Sequence, residues 1–175
     1  MKEVYYSAAR DAINNRVKLR DSVLIFYLAS VATIFGAAFG TSLNTDLLLM
    51  VPFVALGASF MLSQHHTTIG SIVRYLALEL NSPEENATNI IHWDVSKSAT
   101  NKNKKSMSLI VNSHIVLVIF PALAALLYKV REIEIFSQEG VFFGFGFFAL
   151  VVGLIIILKA HKYRSKVNAE IQSLD

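Results

Sequence analysis

The chain has 175 residues, 54% of them hydrophobic and 17% charged, with a mean hydropathy of +0.49 and a net charge of +3. A soluble domain carries about 25% charged residues, so this composition argues against an ordinary water-soluble enzyme and points to a membrane protein. With no cysteine in the sequence, disulfide frameworks, thiolate zinc sites and thiol nucleophiles are excluded too.

Residues 1–21 read as a cytoplasmic amphipathic helix. Tyr6, Ala9, Ile13 and Val17 recur at spacings of three and four, flanked by basic residues. Such a helix rests on anionic headgroups before a span, or docks a partner. A bilayer core of ~30 Å needs about 20 apolar residues in a helix. Four apolar blocks approach or meet that length, at 23–43, 47–62, 107–128 and 141–158, and none contains Lys, Arg, Asp or Glu. Residues 22–62 are therefore expected to hold spans one and two, and residues 107–158 spans three and four. Pro52 and Pro121 lie inside blocks two and three, where each is expected to kink its helix. The start carries no cleavable leader pattern, because 21 polar-rich residues precede a first block longer than a leader's apolar region.

Between the second and third blocks, residues 63–106 form a polar loop with helical pieces. His65, Ile69, Ile72, Leu76 and Leu80 continue the second span as an apolar stripe. Asn81-Ser82-Pro83 should end that helix, since the residue before a proline is pushed out of the helical region. The element at 85–94 presents Ile90, Ile91 and Trp93, and 96–106 reads as a flexible basic connector. The tail, 159–175, is expected to prolong the fourth span as a helix.

Loop charge sets orientation. Five basic residues lie in 1–21, five in 63–106 and four in 159–175, which makes 14 of the 16 on one side of a four-span plan. The loop 129–140 on the other side is net acidic. The expected fold is thus all-α, an integral membrane protein of four transmembrane helices with short cytoplasmic helices. Both termini face the cytoplasm of a bacterial inner membrane.

The polar groups at the cytoplasmic side are His65, His66, Arg74, Tyr75, Glu79, His92, Trp93 and Asp94. Adjacent histidines on a helix point about 100° apart, so His65 and His66 do not readily share a metal, and there is no H-x₃-H or HExxH pattern. No nucleophile elbow, phosphate loop or R-x₄₋₆-H ribonuclease signature occurs. No catalytic residue, metal or cofactor is expected. The only ionisable group inside a block is His114, beside Asn112 and Ser113, and no buried carboxylate accompanies it as proton-coupled transport would require. Small residues carry the other signal. Ala32, Gly36 and Gly40 recur every four residues in span one, and Gly140, Gly144, Gly146 and Gly153 mark span four. Such stripes allow close helix approach in lipid, within one bundle or between copies. Ser30, Thr33, Ser59 and Asn112 are the polar candidates for lining a pore.

The segment after span two resembles small four-span bacterial membrane proteins. In these the span runs out into a pattern like H-[HD]-x-x-I-x-x-I-x-[RK]-Y-[IL]-x-x-E, followed later by tryptophan and an acidic residue. His65, His66, Ile69, Ile72, Arg74, Tyr75, Leu76, Glu79, Trp93 and Asp94 match it here. Some similar proteins accompany anti-phage systems, including type VI-B CRISPR loci, and others disrupt membranes in nucleotide-signalling defence. The resemblance implies a non-enzymatic, homo-oligomeric effector that perturbs the membrane, with a cytoplasmic defence protein or nucleotide signal as trigger and no direct reading of nucleic acid. A scaffold that holds a soluble enzyme at the membrane is the alternative, and a small-solute transporter comes third.

Overall fold

The computed structural model describes residues 2–40, 44–80, 97–131 and 137–172, with side chains placed at 4–40, 44–78, 113–131 and 137–171. Helix α1 runs Lys2–Phe39, a 3-10 turn covers Thr45–Met50, α2 runs Val51–Tyr75 and a π-helical turn follows at Leu76–Leu80. Helix α3 spans Lys97–Lys129 and α4 spans Gln138–Gln172. No strand occurs among the described residues.

Three segments are long and apolar enough to cross a membrane, Val4–Phe39, Thr45–Leu78 and Gln138–Ile171. The described apolar part of α3, Ser113–Lys129, is shorter.

The boundaries differ from the sequence reading in three places. Residues 2–21 of the amphipathic stretch and residues 23–39 of the first apolar block lie in one unbroken helix, so the amphipathic part projects along the axis of α1. No Pro or Gly lies within 1–35 to interrupt it. Pro52 lies not in the interior of α2 but in its first turn, directly after the 3-10 turn, a position where proline is well tolerated. The stretch expected as a basic connector is helical from Lys97 onward. The apolar part of α3 supplies the costly nucleus, and lysine, alanine and serine then extend it at small cost per residue. Pro121 does lie inside α3, and it leaves the Leu117 carbonyl without its helical donor. In that opened turn the Tyr27 hydroxyl of α1 donates to the neighbouring Val118 carbonyl at 2.7 Å. Helix α1 is thereby tied to the weakest turn of α3.

Each helix buries one face. On α2 the buried positions are 51, 52, 55, 58, 59, 62, 65, 66, 69 and 70, and on α4 they include 146, 149, 150, 153, 157 and 160. Both sets repeat at three and four residues. Helix α2 is central and packs on α1, α3 and, most extensively, α4. The main core joins Tyr27 and Val31 of α1, Leu48, Leu62, Val118, Leu126, Leu150 and Ile157. A smaller cluster, Ala77, Val167 and Ile171, joins the π-helical turn to the end of α4. The opposite faces carry large apolar side chains: Phe26 is 73% exposed, Phe148 67% and Phe120 65%. Patches of this kind are rare on water-facing domains, and they suit lipid.

Candidate functional site: a histidine–arginine layer and a lysine clamp

Past the apolar part of α2, all four helices contribute polar side chains to one cross-section. The two histidines of α2 are both buried, each 7% exposed. His66 Nε2 lies 3.1 Å from His114 Nδ1 of α3, and the rings tilt against each other with centroids 5.1 Å apart. One N–H bridges the two nitrogens, so at least one ring is neutral. Two imidazolium ions would present two donors and no acceptor. His114 is therefore not a lone intramembrane histidine but half of a buried pair 48 residues apart in sequence. The charges of Arg20 from α1 and Arg164 from α4 both act on His66. Arg20 itself holds Asp21 through Nε and Nη2, at 3.0 and 2.8 Å. Among the described residues no group of three metal ligands is assembled.

Glycine 70 makes this layer possible on the α4 side. A Cβ there would come 2.9 Å from Arg164 Cδ and 2.9 Å from Tyr163 Cε1. Only a residue without a side chain lets α4 lay its arginine stem and tyrosine ring against α2. Tyr163 is then fixed by a 3.0 Å hydroxyl contact with Ser71. One turn on, Arg74 Nε donates to Glu170 Oε2 at 3.0 Å, with both side chains solvent-accessible. Pairs in that setting contribute about 0–1 kcal/mol.

The other sequence candidates are distributed as follows. Arg74 and Tyr75 are exposed and turn away from the histidines. Glu79 lies in the π-helical turn, its side chain outside the described set, and His92, Trp93 and Asp94 lie outside the described residues. Gly146 packs on Pro52 and Leu126, and Gly153 on Ser59. These two glycines serve packing inside the bundle. Ala32, Gly36 and Gly40 stay on the exposed face of α1, and a Cβ on Gly36 would meet nothing within 4 Å. Ser59 is fully buried with its hydroxyl on the Ala55 carbonyl at 2.7 Å. Ser30 and Thr33 are exposed, each bonded to the carbonyl four residues back.

Comparison of the chain with protein-family models, with curated proteins and with solved structures finds no match. The site has to be read from its own geometry.

At the opposite end, sequence reasoning missed a second polar device. Lys129 closes α3 with its side chain 3% exposed. Its ammonium lies 2.7 Å from Asp46 Oδ1 and 3.3 Å from Thr45 Oγ1 in the 3-10 turn, and 3.8 Å from Glu139 in the first turn of α4. One buried cation thus clamps three elements. The signal available in sequence was a lysine ending an apolar block between two acidic segments. Removing the two partners should not be equivalent. Lys129→Met leaves Asp46 in water, where it is 56% exposed, and should cost about 1 kcal/mol. Asp46→Ala strips a buried ammonium of its nearest counter-charge and should cost about 2–3 kcal/mol, less than a full 3–5 because Glu139 remains. Thermal unfolding in detergent measures both, and equal losses would contradict the clamp.

Proposed function

We propose that the chain is a bacterial inner-membrane protein of four spans with both termini cytoplasmic. It self-associates, is not an enzyme, and perturbs the membrane on a cytoplasmic cue received at the histidine–arginine layer, in the anti-phage setting its resemblance implies. The observation that carries this reading is the division of the bundle into two kinds of surface. Its interior is closed by apolar and small side chains, with polar groups gathered at the two ends. Its exterior is lipid-like except along α1, where Ala29, Ala32, Thr33, Gly36, Ala37 and Gly40 leave an exposed face of small residues. Small faces of this type associate in lipid through close packing. The 14 basic residues in 1–21, 63–106 and 159–175 support the orientation. In this reading α3, Lys97–Lys129, supplies the fourth span through its apolar residues 107–128.

A filled interior also says where a conductive path would run. Among the described residues the middle of the bundle is filled by Leu62, Val118 and Leu126, each at most 2% exposed. Conduction therefore belongs between copies, beside α1 with Ser30 and Thr33, and not through one bundle. The same observation favours the second reading, a non-conductive scaffold that holds a soluble partner at the membrane. Leakage from dye-loaded liposomes carrying the purified full chain, with and without cytosolic extract, separates the two. The effector reading predicts leakage that Gly36→Leu reduces about tenfold or more, together with a smaller assembly mass in detergent. Absence of leakage under every condition rejects the effector and leaves the scaffold.

A further inference from the structure

The histidine–arginine layer holds hydrogen-bonding capacity that the described residues leave unused. His65 is 7% exposed, and its Nδ1 has no partner. On α4, Nδ1 of His161 and both Nε and Nη1 of Arg164 are buried without a partner. His161 and Arg164 stand three residues apart, on one face of α4. Arg16 and Arg20 stand four apart on α1, and both charges act on His65. The charges of Arg20, Arg164 and His161 all act on His66, and that of Arg20 acts on Arg164. Arg164, whose stem lies against Gly70, and His161 one turn before it on α4 therefore face the part of α2 that carries His66 and Gly70.

Negative charge around them is scarce and already engaged. Asp21 is held by Arg20, and Glu170 by Arg74 and Lys166. A guanidinium with buried, unpaired N–H groups beside a second guanidinium is unfavourable unless an anion joins them. Gly70 explains why Arg164 does not escape outward. The glycine opens a channel for its stem, and the neighbouring Tyr163 ring, bonded to Ser71, walls the stem in. The planar guanidinium fork matches the oxygens of phosphate, which accept two parallel N–H bonds. Imidazole donors complete such a site.

We propose that His161 and Arg164 of α4, with Arg20 of α1, bind a phosphate-bearing anion, with Arg164 as the principal ligand. The anion is either the headgroup of an anionic phospholipid at the boundary of the bilayer or a soluble phosphate compound from the cytosol. The inference rests on the proposed function only for the side from which the anion arrives. Binding itself requires neither assembly nor leakage.

Two arms of one experiment separate the sources. The full chain, stripped of lipid in detergent, is melted in potassium phosphate and in potassium chloride of equal ionic strength. The full chain from phosphatidylcholine bilayers, with or without phosphatidylglycerol, is weighed by native mass spectrometry for retained lipid. A rise in melting temperature in phosphate larger for the wild type than for Arg164→Gln assigns a soluble source, because phosphate's general stabilising effect acts on both proteins alike, and retained phosphatidylglycerol assigns a headgroup. Arg164→Gln should weaken either response about tenfold or more, while Lys159→Gln on the exposed face of the same helix should leave it unchanged. Arg20→Gln serves as the second variant where Arg164→Gln does not fold. Wild-type protein indifferent to both phosphate and phosphatidylglycerol overturns the proposal, as does full binding by folded Arg164→Gln. Phosphate binding without leakage would reject the effector reading alone, and leakage without phosphate binding would reject this inference alone.

Discussion

Gly70→Leu should be the most damaging single substitution along the α2–α4 contact. The added Cβ alone would stand 2.9 Å from two side chains of α4, one of them a ring fixed by Ser71. Leucine adds three further carbons, so the helices must separate where the polar layer and the Ala77–Val167–Ile171 cluster meet. Overpacking of this kind costs about 1–3 kcal/mol. The gain in helix propensity on leaving glycine, about 0.8 kcal/mol, offsets part of it and leaves a net loss of about 0.2–2.2 kcal/mol. Gly57 supplies the internal control. It lies in the same helix, a Cβ there would meet nothing within 4 Å, and Gly57→Leu should be neutral or slightly stabilising. Unfolding in detergent that shows equal stability for the two leucine variants would contradict the close approach of α2 and α4.

The histidine pair gives the second large effect, and its sign pattern matters more than its size. His66→Leu removes one end of the 3.1 Å bond and leaves the Nδ1 of His114, a residue only 4% exposed, without a partner. A buried polar group stranded in this way costs about 1–3 kcal/mol. His114→Leu strands Nε2 of His66 by the same argument. The double variant strands neither nitrogen, so it should be less destabilised than the sum of the single losses by about 0.5–3 kcal/mol. Losses that add within about 0.3 kcal/mol would mean that the two rings do not share a proton.

These effects also show what the sequence could and could not disclose. The apolar blocks at 23–43 and 141–158 were readable because a helix in lipid must satisfy its backbone internally and present apolar side chains for a fixed length. The continuation of α2 past residue 62 was readable from the stripe at His65, Ile69 and Ile72, and two of those three are buried. The pairing of His66 with His114 was not. It depends on the rotational setting of α2 against α3, which no local pattern encodes. Arg164 looked like one more basic residue of a cytoplasmic tail. Its difference from Lys159 and Lys162 comes from facing a glycine on another helix. The spacing of His161 and Arg164 was a clue, but it acquires meaning only beside Gly70. The small residues divided by the same logic. Gly146 and Gly153 face α2, whereas Gly36 faces outward, and periodicity alone treats them alike.

In the proposed orientation α1, α2, α3 and α4 cross the bilayer in turn and leave the histidine–arginine layer on the cytoplasmic side. The natural absence of cysteine makes this directly measurable. Single cysteines are placed at Ser7, Asn44, Ser137 and Ser165, and each variant is labelled in intact cells with a membrane-impermeant maleimide, before and after permeabilisation. The account predicts that Asn44→Cys and Ser137→Cys react in intact cells, whereas Ser7→Cys and Ser165→Cys react only once the membrane is opened. Labelling of Ser7→Cys and Ser165→Cys from opposite sides, as three spans would require, would contradict it.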